Sequence, residues 1–198
     1  MNHISIEGMD GVGKSTTCQL LADRLGYTFV EKPLHFLLDD DEHEIKQYQK
    51  VAKKVNSNAN RNFTAWYYGL NNIYLYEKFK DQNIVTDRHI VSNYCWSGTD
   101  YNVDIYNLIL KKIGKPKLTV ILYAKPEVIL SRLKKRDIHD DDIAKVSKSE
   151  QVYEKMIYFC EMKKFNYIVI DTDGKTPEMV VDEIINHLKG KNNGYKHN

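Results

Sequence analysis

Gly8-Met9-Asp10-Gly11-Val12-Gly13-Lys14-Ser15 is the stretch on which the reading of this chain turns. Its spacing, G-x-x-x-x-G-K-[S/T], is that of a phosphate-binding loop, and its surroundings agree. Before it, His3–Glu7 alternates Ile4 and Ile6 as a strand does. After it, Lys14–Leu25 sets Cys18, Leu21 and Leu25 on one helical stripe, and Gly26 suits the helix end. Strand, loop and helix together predict a cradle of backbone N–H groups, strengthened by the positive end of the helix. Gly8 opens the loop, and Gly11 and Gly13 let the backbone approach phosphate without a Cβ clash. Val12 lies between them and Thr16 continues the helical turn. Lys14 is expected on the β- and γ-oxygens, and Ser15 on Mg²⁺, which favours hard oxygen ligands. The expected ligands are ATP and Mg²⁺; the loop does not specify an acceptor.

Working outward, strands and helices alternate. Tyr27–Val30 reads as a short strand followed by Pro33. His43–Val55 is helical through Ile45, Tyr48, Val51 and Val55, after a solvated acidic run at Asp39–Glu42. The polar stretch 56–62 breaks that helix. A long helix follows from about Phe63 to Phe79, with Phe63, Trp66, Tyr67, Leu70, Ile73 and Tyr74 in the i, i+3, i+4 rhythm. Asn83–Thr86 is the third strand, ending at Asp87. Val103–Ile113 is a helix closed by Gly114, and Leu118–Tyr123 is the continuous apolar run of a strand covered on both faces. Pro126 opens a helix running into the charged segment 132–142. Ser147-x-x-Glu150 reads as a capping box before a helix through Val152, Met156 and Phe159. Tyr167–Ile170 is the fifth strand, and Thr176-Pro177 caps a last helix carrying Val180, Val181, Ile184 and Leu188. The tail, about 190–198, reads as flexible. This order predicts an α/β fold: one P-loop domain over 1–198, a three-layer α/β/α arrangement around a parallel sheet, with a helical lid at about 132–148.

Composition narrows the partners. The 198 residues are 42% hydrophobic, and 29 Lys+Arg against 27 Asp+Glu leave a net charge of +2. That balance argues against a dedicated nucleic-acid or membrane surface and leaves room for a small phosphorylated ligand. Cys18, Cys95 and Cys160 are widely spaced and read as reduced thiols, and seven histidines show no zinc spacing. No stretch approaches the length of a membrane span, and the polar N-terminus is not a secretory signal, so the expected location is cytoplasmic.

Charged residues gather around the loop in the expected topology. Asp87-Arg88 ends the third strand, where carboxyl ends converge on one crevice, so Asp87 is expected at Mg²⁺ and Arg88 at phosphate. An anion at Asp10 would repel phosphate if it pointed into the cradle; it is expected to face the acceptor. Arg132 and Arg136 share one helical face and are expected to offset charge on the transferring group, as a mobile arm that also excludes water. Lys134 and Lys135 read as an ordinary solvated helix end. The rings of Phe63, Trp66, Tyr67 and Tyr74 read as core, with one free to stack on an acceptor base. Tyr94 and Trp96 follow Arg88 closely enough to border the same crevice.

These residues resemble a known family. Ile6–Thr16, IEGMDGVGKST, looks like the first motif of thymidylate kinases, and Asp87–Gly98, DRHIVSNYCWSG, like the second. Val128–Arg136, VILSRLKKR, resembles the helix entering their lid, and Asn166–Gly174, NYIVIDTDG, their last strand and adenine-side loop. The resemblance implies transfer of the ATP γ-phosphoryl to dTMP, a five-stranded parallel sheet and a homodimer. It implies that Lys14 and Ser15 serve ATP and magnesium, that Asp10 and Arg88 handle the acceptor, and that Asn93 and Trp96 line its base and sugar; Tyr67, from the aromatic series, is the further candidate for the acceptor site. Arg132 and Arg136 become the lid arginines.

The chain departs from the family at three places. R-E-P-G-G-T after the second strand is here Glu31-Lys32-Pro33-Leu34-His35; the acceptor arginine is missing from Tyr67–Glu77, YYGLNNIYLYE; and the D-R-I-E lid motif is replaced at 140–145 by DDDIAK. Lys32 and Arg61 are the candidates to restore the lost positive charge. Glu31-Lys32-Pro33 also resembles the E-P motif of deoxynucleoside kinases, in which the Glu acts as base. Three readings stand: a thymidylate or other deoxynucleotide kinase, a deoxynucleoside kinase, and a P-loop binding protein without catalysis.

Overall fold

The computed structural model describes residues 1–37 and 42–193, the side chains of 42–45, 141 and 191–193 aside. Five strands, β1 His3–Gly8, β2 Thr28–Glu31, β3 Ile84–Asp87, β4 Leu118–Tyr123 and β5 Tyr167–Asp171, form one parallel sheet in the order β2-β3-β1-β4-β5. Eight α-helices connect and cover them among the described residues: α1 Lys14–Leu25, α2 Glu42–Asn56, α3 Arg61–Lys78, α4 Ile90–Ser97, α5 Val103–Ile113, α6 Pro126–Arg136, α7 Ser149–Met162 and α8 Pro177–Asn193. Short 3₁₀ segments lie at Pro33–Leu37 and Asp141–Lys148.

The chemistry of the strands explains their place. Every residue of β1 is buried, as is β4 through Leu122, because helices cover both faces. The pairings Ile6↔Asp87 and Gly8↔Leu122 bring the ends of β3, β1 and β4 level, so the loops that follow them open on one edge. The core beneath combines Ile4, Ile6, Leu21 and Ile121 of the sheet and α1 with Tyr94, Tyr106 and Phe159 of the helices. The Tyr94 and Phe159 rings stack at 4.1 Å and an interplanar angle of 13°. Gly26 ends α1 in the left-handed region, its N–H reaching the carbonyls of Ala22 and Asp23. Thr176 caps α8 as read, its hydroxyl accepting from Met179 N at 3.4 Å.

Three expectations change, and one helix is added. The Ser147–Glu150 capping box is not formed. The chain winds as 3₁₀ helix through 141–148 and enters α7 at Ser149 directly, with Lys148 at the cap and no side-chain cap bond. Ser147 is therefore already helical and cannot take the extended cap conformation. Phe63 and Trp66 are not core: they are 47% and 45% exposed, and α3 buries Thr64, Ala65, Gly69, Asn72 and Leu75 instead. Small residues on that face permit close approach; a Cβ on Gly69 would lie 2.6 Å from Ile109 Cδ1 of α5. Helix α4 carries no periodic signal because all its residues but Trp96 are buried. Helix α8 runs on to Asn193, beyond the point where the sequence pattern fades, and 194–198 of the expected tail lie outside the described residues, as do 39–41 of the acidic run. No helix among the described residues is long and apolar enough to cross a membrane.

Candidate active site

The loop between β1 and α1 has the backbone its glycines allow. Gly13 stands at the helix cap with φ +95°, and a Cβ there would meet nothing within 4 Å, so the loop's mouth is open. No side chain caps α1, which leaves the first-turn amides facing that opening. Gly11, at φ +86°, lies against α6: a Cβ there would come within 3.0 Å of Leu133 Cγ and 3.3 Å of the Ile129 carbonyl. Val12 is buried beneath the loop, and Thr16 is exposed on the first turn.

Lys14, only 5% exposed, folds back over the loop: Nζ donates to the Met9 carbonyl at 2.8 Å and to Asp10 Oδ1 at 3.3 Å. Burial, aided by Arg88, lowers its pKa. Ser15 Oγ donates to Asp87 Oδ2 at 2.6 Å, while Asp87 Oδ1 is buried with no hydrogen-bond partner among the described residues. A hydroxyl, an unpaired carboxylate oxygen and an open cradle suit a hard divalent cation bridged to phosphate, so Ser15 and Asp87 fit Mg²⁺.

Arg88 leaves β3 with φ +72°, a strained region for a residue with a side chain. Its guanidinium is gripped at three points: Nη2 to Asp10 Oδ1 at 2.7 Å, and Nη1 to the Gly8 carbonyl at 3.2 Å and Ser92 Oγ at 3.3 Å. Burial opposes the charge on Asp10, but Arg88 and Lys14 outweigh it and hold its pKa far below the ordinary range. Asp10 therefore joins the cation of the loop to the cation of β3.

Two further lysines act on this group of charges. Lys32 follows Glu31, which pairs in register with Asp87, so Lys32 and Arg88 leave neighbouring strands side by side. Both have positive φ, +47° at Lys32. Burial lowers the Lys32 pKa, and Asp87, Arg88, Asp10 and Lys14 all act on it electrostatically. Its ammonium forms an ion pair with Glu31. Lys145 comes from the 3₁₀ segment: it pairs with Asp142 at 2.6 Å, stands 5.9 Å from the Trp96 ring centroid and acts on Asp10 across the crevice. The sequence reading placed lid chemistry on arginines alone and passed over Lys145; a lysine three residues after the Asp140–Asp142 run was the available signal.

The other expected residues divide. Arg132 donates to the Thr172 hydroxyl at 2.9 Å and carbonyl at 2.8 Å, which ties it to the loop after β5 rather than to the phosphate loop. Arg136 is exposed and held by Asp140, with Asp142 at 3.5 Å. The Trp96 ring centroid lies 5.9 Å from Lys145 Nζ. Tyr67 is half-buried and stacks on Tyr48 at 6.5 Å. Asn93 is buried and committed to partners in the fold: its amide donates to the Ala65 carbonyl at 3.2 Å and reaches Asn72 at 3.5 Å, and its oxygen accepts from Tyr106. It fastens α4 to α3 and α5. Arg61 is tied to the Asn58 carbonyl at the start of α3.

A G-x-x-x-x-G-K-S loop between β1 and α1, at the carboxyl edge of a five-stranded parallel sheet, defines a P-loop kinase fold. Residues 6–184 match the thymidylate kinase family model, and the chain belongs to that family. It is 31% identical over 98% of its length, and 86% of the relative's, to a protein of Pyrococcus furiosus named "Putative adenylate kinase". It is 28% identical to a "Probable thymidylate kinase" of Methanocaldococcus jannaschii, over 94% of this chain and 95% of that one. Among solved structures, a thymidylate kinase from Candida albicans matches 97% of this chain and 92% of its own with a TM-score of 0.69 at 19% identity, a likeness of fold. The chain is thus a nucleoside monophosphate kinase.

Proposed function

We propose that the enzyme transfers the γ-phosphoryl of ATP to dTMP, giving dTDP and ADP. The observation that supports this reading is the Arg88–Asp10 pair at 2.7 Å beside the phosphate loop, with Lys145 also acting on Asp10 and Lys32 leaving the neighbouring strand beside Arg88. An acceptor phosphate can draw these cations from the carboxylates that hold them, whereas a neutral nucleoside offers them no anion. Gly8, Gly11, Val12, Gly13, Lys14, Ser15 and Thr16 would hold the ATP phosphates, with Ser15 and Asp87 on Mg²⁺, which offsets phosphate charge when bound. Asp10 and Arg88 would orient the acceptor phosphate, and Tyr67 and Trp96 would flank the nucleoside. Arg132, bound to the loop after β5, is suited to the adenine end of ATP, and Arg136 to the lid.

AMP is the second reading, supported by the name of the Pyrococcus relative. The test is ADP release from Mg-ATP with dTMP, dUMP, AMP, other monophosphates and thymidine in parallel. Turnover with dTMP above AMP supports the first reading, and the reverse selects the second. Turnover with thymidine alone overturns both and gives Glu31 the role of base.

The exposed ridge Phe63, Trp66, Leu70 and Ile73 along α3 supports a homodimer through that helix, since four large apolar side chains in one stripe are unusual on a monomer. Sedimentation equilibrium of wild type and Trp66→Glu tests it: a monomeric variant is expected, and an unchanged mass rejects the interface.

A further inference from the structure

Beneath the site lies a buried carboxylate with no part in the roles assigned above. Glu7, the last side chain of β1 before the loop, is fully buried. Its Oε2 accepts from the Ser92 backbone N–H at 3.2 Å and from the Ser92 hydroxyl at 2.5 Å; its Oε1 has no partner among the described residues. Ser92 Oγ is also the acceptor for Arg88 Nη1 at 3.3 Å. A hydroxyl has one proton to give. With that proton committed to Glu7, the lone pairs of Ser92 are turned to the guanidinium.

We propose that Glu7 is a positioning residue for acceptor binding, aiming Arg88 through the Ser92 hydroxyl. A carboxylate here is expensive in an apolar interior, and a leucine or glutamine would pack with less penalty. That cost is offset if the charge has a task. Ionised, Glu7 can only accept, so it dictates the direction of the Ser92 O–H. Protonated at Oε2, it would give its own proton to Ser92 Oγ and compete with Arg88. Protonated at Oε1, it would hold a donor with nothing to receive it.

The groups facing Glu7 are Arg88 and Asp87 from β3, Cys18 from α1, Ser92 and Cys95 from α4 and Cys160 from α7. Burial raises all three thiols, so they stay neutral, and Arg88 is the nearest cation to offset the charge. Burial lifts the Glu7 pKa to about 7 against the Ser92 bonds and Arg88, so the ionised and protonated forms exchange near neutrality.

The proposal rests on Arg88 meeting the acceptor phosphate, and the experiment separates the two ideas. Steady-state kinetics with Mg-ATP and whichever of dTMP or AMP turns over would compare wild type, Glu7→Gln, Ser92→Ala, their double variant and Arg88→Lys from pH 5.5 to 8.5. Expected is a rise of roughly tenfold in acceptor KM at pH 8 for each of the first two, with the ATP KM within about twofold and no fall in melting temperature for Glu7→Gln. The double variant should be no worse than the worse single one, because both act through one chain of bonds. In wild type the acceptor KM should rise as pH falls through about 7 more steeply than in Glu7→Gln, which retains only the titration of the acceptor phosphate. An effect in Arg88→Lys without one in Glu7→Gln overturns the role of Glu7 alone. No effect in Arg88→Lys overturns both ideas. Additive effects, or a parallel rise in both KM values, would mean that Glu7 is merely structural.

Discussion

Ser15 and Asp87 meet at 2.6 Å, the first turn of α1 donating a hydroxyl to the end of β3, while the second oxygen of that carboxylate is buried without a partner among the described residues. An oxygen kept out of water and unpaired carries a penalty of about 1–3 kcal/mol, more for a charged group, which a bound cation would remove. Asp87→Asn is therefore expected to raise the half-saturating Mg²⁺ concentration by about tenfold or more while leaving the fold intact. A magnesium titration of initial rate checks this, and an unchanged midpoint removes Asp87 from the metal site.

Lys14 is committed to Met9 and Asp10 and must turn outward to meet a nucleotide. Replacing it by Ala is expected to lower kcat by about 10²–10³, the range for losing one preorganised charge-stabilising donor. Circular dichroism should show the same fold. Wild-type turnover in this variant would refute the assignment of the loop.

The side-by-side exit of Lys32 and Arg88 from β2 and β3 leads to a contrast. Lys32→Met should raise the acceptor KM by about tenfold with little change for ATP, because a phosphate loses one of its cations. Arg61→Met, whose guanidinium serves the Asn58 carbonyl, should leave both constants near wild type. Equal effects from the two variants would reject Lys32 as the replacement for the missing arginine.

At the lid, Asp142 neutralises Lys145 and lies within 3.5 Å of Arg136. These pairs are largely exposed, so they are worth about 1 kcal/mol or less to stability. Lys145→Ala is expected to reduce kcat by an order of magnitude or more without altering the melting temperature, and Asp142→Asn to leave kcat at least at the wild-type level. A loss of stability without a loss of rate in Lys145→Ala would make the residue a structural pair only.

Glu7 also makes stability depend on pH. Its folded pKa, about 7, lies above the ordinary 4.5, so the folded state holds the proton more tightly than the unfolded chain. The contribution is complete below about pH 4.5 and disappears as pH rises through 7, a swing of about 3 kcal/mol. His3 and His89 act in the opposite sense: buried and shifted down, they favour folding above the ordinary histidine pKa and oppose it in acid. Comparing wild type with Glu7→Gln cancels the histidines. Urea unfolding should show the Gln variant gaining on wild type from pH 5 to pH 8; a pH-independent difference would mean that Glu7 does not titrate in this window.

The phosphate loop, α1 and the end of β3 were legible from the chain because each depends on local rules. Gly13-Lys14-Ser15 sits where a helix must begin, and Asp87 where an apolar run stops. What could not be read there depends on neighbours far along the chain. Nothing in the sequence distinguishes Asn93, turned toward Tyr106, from a residue facing the crevice. Lys32 acquires its place only through the register of Glu31 with Asp87. Ser147 satisfies a capping pattern, but the lid is already coiled when it arrives. Phe63 and Trp66 follow the rhythm of a core stripe, yet α3 approaches α5 by its small face.

A methyl group on Gly11 would come within 3.0 Å of Leu133 Cγ, so the side chain of Leu133 would have to give way to it. The loop after β1 and the helix carrying Arg132 and Arg136 are therefore in direct contact, so a displacement of one would be felt by the other without an intermediary. An alanine at position 11 would act as a wedge under the arm, felt some distance from where it was inserted.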